Sequence, residues 1–91
     1  MAELIVGRVV AASDHPGSRG PSYLVRVDLG GRGERTAQME PGGYAKDGLE
    51  GTLVVVSIDG DEAIVLAARS HAHGAVLLRP DADVEPGTIV A

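Results

Sequence analysis

The chain has 91 residues, with eight Lys and Arg against thirteen Asp and Glu, giving a formal charge of −5. It contains no Cys, Trp or Phe and only two Tyr, which excludes disulfides, thiolate metal sites and an aromatic core. The acidic balance also argues against strong non-specific nucleic-acid binding, which relies on a basic face that releases counterions from phosphates.

This length corresponds to one domain, residues 1–91, with a single core. Val, Leu, Ile and Ala must supply that core, with Met39 as filler, and such β-branched content suits a small barrel or sandwich. Met1-Ala2-Glu3 lacks the basic start of a signal peptide, and Arg8 interrupts the first apolar run. The runs Leu53–Val56 and Ala63–Ala68 are too short to span a bilayer, so no membrane insertion is expected and the protein is read as soluble and cytoplasmic.

Leu4 to Ala12 is the first predicted strand, with Gly7 marking a bulge or sharp bend. Ser13 to Gly17 reads as a turn. Tyr23 to Leu29 alternates strictly, with Tyr23, Val25, Val27 and Leu29 on one side and Leu24, Arg26 and Asp28 on the other. That period of two defines a half-buried second strand. Gly30, Gly31 and Gly33 suit a hairpin turn with positive φ. Arg35 to Met39 is the third strand, with Ala37 and Met39 inward and Thr36 and Gln38 outward. Pro41-Gly42-Gly43 breaks the pattern, and Tyr44 to Leu49 fits one helical turn.

Thr52 to Ile58 is an almost continuous apolar strand with both faces covered. Asp59-Gly60 signals a hairpin to a strand at Ala63–Ala68. Arg69 to Gly74 reads as a loop, Ala75–Leu78 as a short strand, and Thr88–Val90 as an edge pairing. Five main strands with one interruption between the third and fourth predict an all-β fold, an OB-type five-stranded Greek-key barrel.

Several stretches carry a resemblance. Arg19-Gly20-Pro21-Ser22-Tyr23 precedes the alternating strand, which ends in Asp28-Leu29-Gly30, and Thr36-Ala37-Gln38 follows on the next strand. Near the end stand Val76-Leu77-Leu78-Arg79-Pro80-Asp81 and Val84-Glu85-Pro86-Gly87-Thr88. Together these resemble the tRNA-binding-domain family of OB-folds, and within it the CsaA-like group of small export chaperones. The resemblance covers most of the chain. It departs where Val54-Val55-Val56-Ser57 runs directly into Ile58-Asp59-Gly60-Asp61, a tight turn in place of the group's basic loop. It implies a non-catalytic, homodimeric binding protein.

The second and third strands of an OB-fold and their neighbouring loops form its usual ligand face. The candidate RNA- or peptide-binding residues are therefore Arg19, Tyr23, Arg26, Arg35, Thr36, Gln38 and Lys46. Arginine pairs bidentately with phosphate, and Gln reads a base edge or a peptide backbone. Tyr23 shares the inward phase, so it reads as a core or pocket-lining residue, and stacking on a long single strand is disfavoured. His71 and His73, with His15 distant, lack a familiar ligand spacing, and no metal or cofactor is expected. Asp59, Asp61 and Glu62 sit in a turn for backbone reasons, and no nucleophile pattern accompanies them.

The resemblance implies tRNA or structured RNA as the first partner. A second reading is an unfolded preprotein or peptide, held in an apolar groove near Tyr23 and Gln38. A third is an interaction module that has lost both ligands. Six of the eight basic residues lie in residues 1–50, against seven acidic ones, whereas residues 51–91 hold two basic and six acidic residues. Any basic face therefore belongs to the first half.

Overall fold

The computed structural model describes residues 2–90. Seven strands follow in order: β1 Glu3–Asp14, β2 Tyr23–Asp28, β3 Glu34–Met39, β4 Leu53–Asp59, β5 Glu62–Val65, β6 Ala67–Ser70 and β7 Gly74–Leu77. Short 3-10 turns occupy Gly30–Arg32 and Lys46–Gly48. The first five strands close a barrel in the order β1-β2-β3-β5-β4, and β6 and β7 form a separate two-stranded sheet. Closure removes exposed sheet edges, which a chain this apolar would otherwise leave open to aggregation.

The length of β1 makes the closure possible. Its second half pairs with β2, from Arg8↔Asp28 to Asp14↔Tyr23, and its first half pairs with β4, from Glu3↔Ile58 to Arg8↔Leu53. A bulge between Val9 and Ala11 lets one strand serve both partners. The expected bulge at Gly7 is thus displaced to Val10. Gly7 is small for a different reason: a Cβ there would lie 2.2 Å from Val27 Cγ1 and 2.9 Å from Leu29 Cδ2. The last residues cover the edge of β1 that β2 leaves free. Val6 N–H donates to Thr88 C=O (2.8 Å), Val90 N–H donates to Leu4 C=O (2.9 Å), and Ile5 bridges to Ile89.

Alternation places the core as expected. Ile5, Val25, Val27, Val54 and Val56 are fully buried, with Leu29, Ala37, Met39 and Leu49 beside them. Asp28 has a local task, its carboxylate accepting the Gly30 N–H at 2.8 Å to hold the β2–β3 turn. Gly30 and Gly33 adopt positive φ there, while Gly31 does not. Both faces of β4 are covered, Val55 on its outer face included.

Two local expectations change. The β4–β5 loop is Gly60-Asp61 between the pair Asp59↔Glu62, with positive φ at Gly60 alone, the pattern of a type II′ turn. The strand expected over Ala63–Ala68 divides at Leu66. Leu66 N–H donates to Val55 C=O (2.9 Å) while its own carbonyl accepts Leu78 N–H (3.3 Å), so the chain passes from the barrel into the β6–β7 hairpin at that residue. Arg69 and Ser70 consequently lie in β6 rather than in a loop.

Candidate ligand-binding face

Register brings four outward residues of β2 and β3 side by side. Arg26 is opposite Thr36, and Leu24 is opposite Gln38. Gln38 is in turn opposite Ile64, the one parallel pair between β3 and β5. Ile64 is 46% exposed, a large apolar side chain on the other side of Gln38 from Leu24.

Three shallow depressions run across this surface. The first, about 370 Å³, lies between β1 and β3 and is lined by Ala11, Ser13, Leu24, Arg26 and Thr36 among others. A second of about 190 Å³ lies between Pro21-Ser22 and Gln38, Glu40 and Ile64. The third, about 300 Å³, separates Glu40 and Ile64 from Ala67, Arg69 and Ala75 of the hairpin. Glu40 and Ile64 line both of the last two, which therefore adjoin between the β1–β2 loop and the hairpin. A clamp orders its near wall: His15 Nδ1 lies 3.1 Å from Ser22 Oγ, and His15 N–H donates to Ser22 C=O.

The predicted residues separate into two groups. Arg26, Thr36 and Gln38 share the face. Arg19 is exposed in the loop after β1 and makes no ion pair among the described residues. Arg35 is not on that face: it shares the phase of Ala37 and Met39 and donates from Nη2 to Gly60 C=O (3.1 Å) beside the β4–β5 turn. Lys46 is held by Asp14, Nζ to Oδ2 3.0 Å. Tyr23 is inward, and its hydroxyl donates to Tyr44 C=O at 2.8 Å. The Tyr44 hydroxyl accepts Leu77 N–H at 3.0 Å, so the two tyrosines tie β2 to β7. Both rings are half-buried against the core, and the Arg79 guanidinium stands 5.9 Å from the Tyr44 ring centre.

Charge on the surface is largely neutralised in place. Arg26 Nε is 3.7 Å from Glu34 Oε1, and Arg69 Nη2 is 2.7 Å from Glu40 Oε1. Arg8 reaches Asp83, and Arg32 forms a bidentate pair with Glu3 (2.9 and 3.0 Å). The guanidinium of Arg32 holds the Glu3 carboxyl below its ordinary range, first by hydrogen bonding and then by charge. Five of the eight basic residues are thus paired with the chain's own carboxylates.

His71 and His73 lie exposed in the β6–β7 turn, and Asp61 and Glu62 lie exposed at the β4–β5 turn. No group of three or more His, Cys, Asp or Glu among the described residues is placed to hold a metal ion. No helix among them is long and apolar enough to cross a membrane. Sequence reasoning missed Leu24, Ile64 and Glu40 as parts of the surface. The available signal was the outward phase of Leu24 and Ile64 in strands whose other outward residues are polar.

A closed five-stranded mixed barrel with Greek-key connections and an appended hairpin is the OB-fold class of binding domain. No protein-family model and no curated protein matches the sequence. Solved structures match over almost its whole length. The CsaA chaperone protein from Picrophilus torridus is similar at a TM-score of 0.87 and 25% identity, covering 99% of this chain and 92% of that one. The chaperone CsaA from Bacillus anthracis str. Ames gives 0.85 and 23%, covering 99% and 91%. A MetRS-related protein from Pyrococcus horikoshii gives 0.75 and 18%, covering 99% and 90%. The resemblance read from the motifs therefore extends to the fold of the entire chain.

Proposed function

We propose that the chain is a non-catalytic, cytoplasmic binding protein of the CsaA-like kind, and that its β2–β3–β5 surface holds an extended polypeptide. The observation that carries this reading is the composition of the surface. Apolar Leu24 and Ile64 flank Gln38 on its two sides, and Thr36 follows on the same face of β3. The basic groups beside them, Arg26 and Arg69, are already paired with carboxylates. Such a surface gains from apolar burial and amide hydrogen bonds more than from phosphate neutralisation. Similarity to two CsaA chaperones supports the same reading.

A second reading is tRNA or structured RNA, favoured by the unpaired Arg19 and the exposed Arg26 at one end of the surface. Salt separates the two. Fluorescence anisotropy with a labelled unfolded peptide and with tRNA, each at low and physiological salt, provides the test. Peptide binding that changes little with salt, and that weakens by roughly ten-fold in Leu24→Asp/Ile64→Asp, is expected. Saturable tRNA binding with a steep salt slope, flattened in Arg19→Ala/Arg26→Ala, would replace the first reading with the second. The proposed homodimer is supported by Ile89, Val90 and Leu78, exposed apolar residues that follow the barrel strands. Light scattering on the same sample checks it.

A further inference from the structure

The β6–β7 hairpin has one edge that nothing covers. In an antiparallel pair, opposed residues alternate between hydrogen-bonded and non-bonded positions. Leu78 N–H donates to Leu66 C=O, so Leu66 and Leu78 are a bonded pair. The register then makes Ala67↔Leu77 non-bonded, Ala68↔Val76 bonded and Arg69↔Ala75 non-bonded. The amides and carbonyls of non-bonded residues point away from the partner strand. On the β7 side this is directly visible, because Leu77 N–H leaves the ladder and donates to the Tyr44 hydroxyl. On the β6 side the matching groups belong to Ala67 and Arg69, and among the described residues none of the four has a hydrogen-bond partner.

The two residues that carry those four groups line the groove described above. Ala67 and Arg69 line its hairpin side, and Glu40, just past the end of β3, lines the other. There the groove of about 300 Å³ is lined by Ile64, Ala67, Ala75 and Glu40. The Arg69 side chain crosses it to Glu40, an exposed ion pair of little strength.

We infer that an extended peptide binds here by adding a strand to the free edge of β6. The inference rests on the polypeptide reading above and names its binding mode. Two donors and two acceptors at residues i and i+2 match the repeat of one strand, and alternate side chains of that strand would enter the groove beside Ala67 and Ile64. The groove selects aliphatic residues at those positions. Glu40, on the wall of the groove, selects a Lys or Arg beside them. Arg69 then acts as a strap that the peptide's own cation displaces.

The probe is a fluorescein-labelled Lys-Val-Thr-Val-Thr-Val-Lys peptide, with two further versions N-methylated on the Val or on the Thr amides. Only one alternating set of amides can face β6. Methylation of that set is expected to weaken binding by about ten-fold, and methylation of the other set to leave it unchanged. The amides of Ala67 and Arg69 should exchange more slowly with solvent when the parent peptide is bound. Ala67→Pro removes one donor from an edge where proline is tolerated, and should weaken binding similarly. If this variant fails to fold, the methylated peptides still decide.

Equal affinity of both methylated peptides, with amide shifts confined to Arg26 and Thr36, would overturn strand addition and leave the polypeptide reading standing. Absence of parent-peptide binding to the folded protein would remove both.

Discussion

The barrel and the β6–β7 hairpin are made from similar aliphatic residues but are held in different ways. Each barrel strand has two neighbours, and its inward side chains reach complete burial at Ile5, Val25, Val27, Val54 and Val56. The hairpin has two strands, and its β6 side chains Ala68 and Arg69 are exposed. An isolated two-stranded hairpin is marginal in water. This one persists because Ala75 and Leu77 are buried and because the Tyr44 hydroxyl receives Leu77 N–H. Where a fold keeps a weakly held element with an open edge beside a rigid one, the weak element is free to adjust to a ligand.

The strongest way to sharpen that contrast is to damage each part separately. Val56→Ala removes two methyl groups from a fully buried position in the core cluster that also holds Val25 and Val27. It should lower the global unfolding free energy by about 2 kcal/mol, seen as a lower urea midpoint with unchanged slope. Every slowly exchanging barrel amide should lose protection together. Retention of full stability would mean that the interior is loosely packed and that the contrast is false.

Tyr44→Phe tests the weaker part. It leaves the ring against the core but deprives Leu77 N–H of its acceptor. The expected loss is about 1 kcal/mol, and hydrogen exchange should show it concentrated in residues 67–77. An equal loss across the barrel would show that hairpin and barrel unfold as one unit.

The same contrast explains what could be read from the amino-acid sequence. β2 was legible because Tyr23 to Leu29 alternates without interruption and its inward side is the core. β3 followed from Ala37 and Met39 in the same way. The hairpin was not legible, because Ala63 to Ala68 is uniformly apolar and the division at Leu66 is imposed by hydrogen bonds to Val55 and Leu78, far away in sequence. The β1 bulge was misplaced for a related reason. Glycine is the local sign of a bulge, yet Val10 occupies it because β1 must reach both β2 and β4. On the candidate surface, the outward phase identified Arg26, Thr36 and Gln38. Arg35, expected with them, has an inward phase in β3 and serves the Gly60 turn. The neutralisation of Lys46 by Asp14 and of Arg69 by Glu40 joins residues 32 and 29 positions apart, which no local pattern reveals. Two of the motif residues have architectural tasks, Tyr23 pinning Tyr44 and Asp28 holding its turn.

The smallest expected effect concerns how the first half of β1 is secured to the β2–β3 turn. Arg32, in that turn, pairs bidentately with Glu3 at the start of β1. Both groups are exposed, so the pair should contribute less than the Tyr44 hydrogen bond and should fade with added salt. Its pH dependence has a fixed sign. Arg32 lowers the Glu3 pKa in the folded state, so folding is favoured wherever the unfolded carboxyl would be ionised. The contribution is fully present above the unfolded carboxylate pKa, about 4.3, and is lost as pH falls through the lower folded value. The difference in Tm between the parent and Arg32→Ala should therefore be small at neutral pH and vanish in acid. A difference that persists below the folded Glu3 pKa would assign the effect to packing of the Arg32 stem rather than to the ion pair.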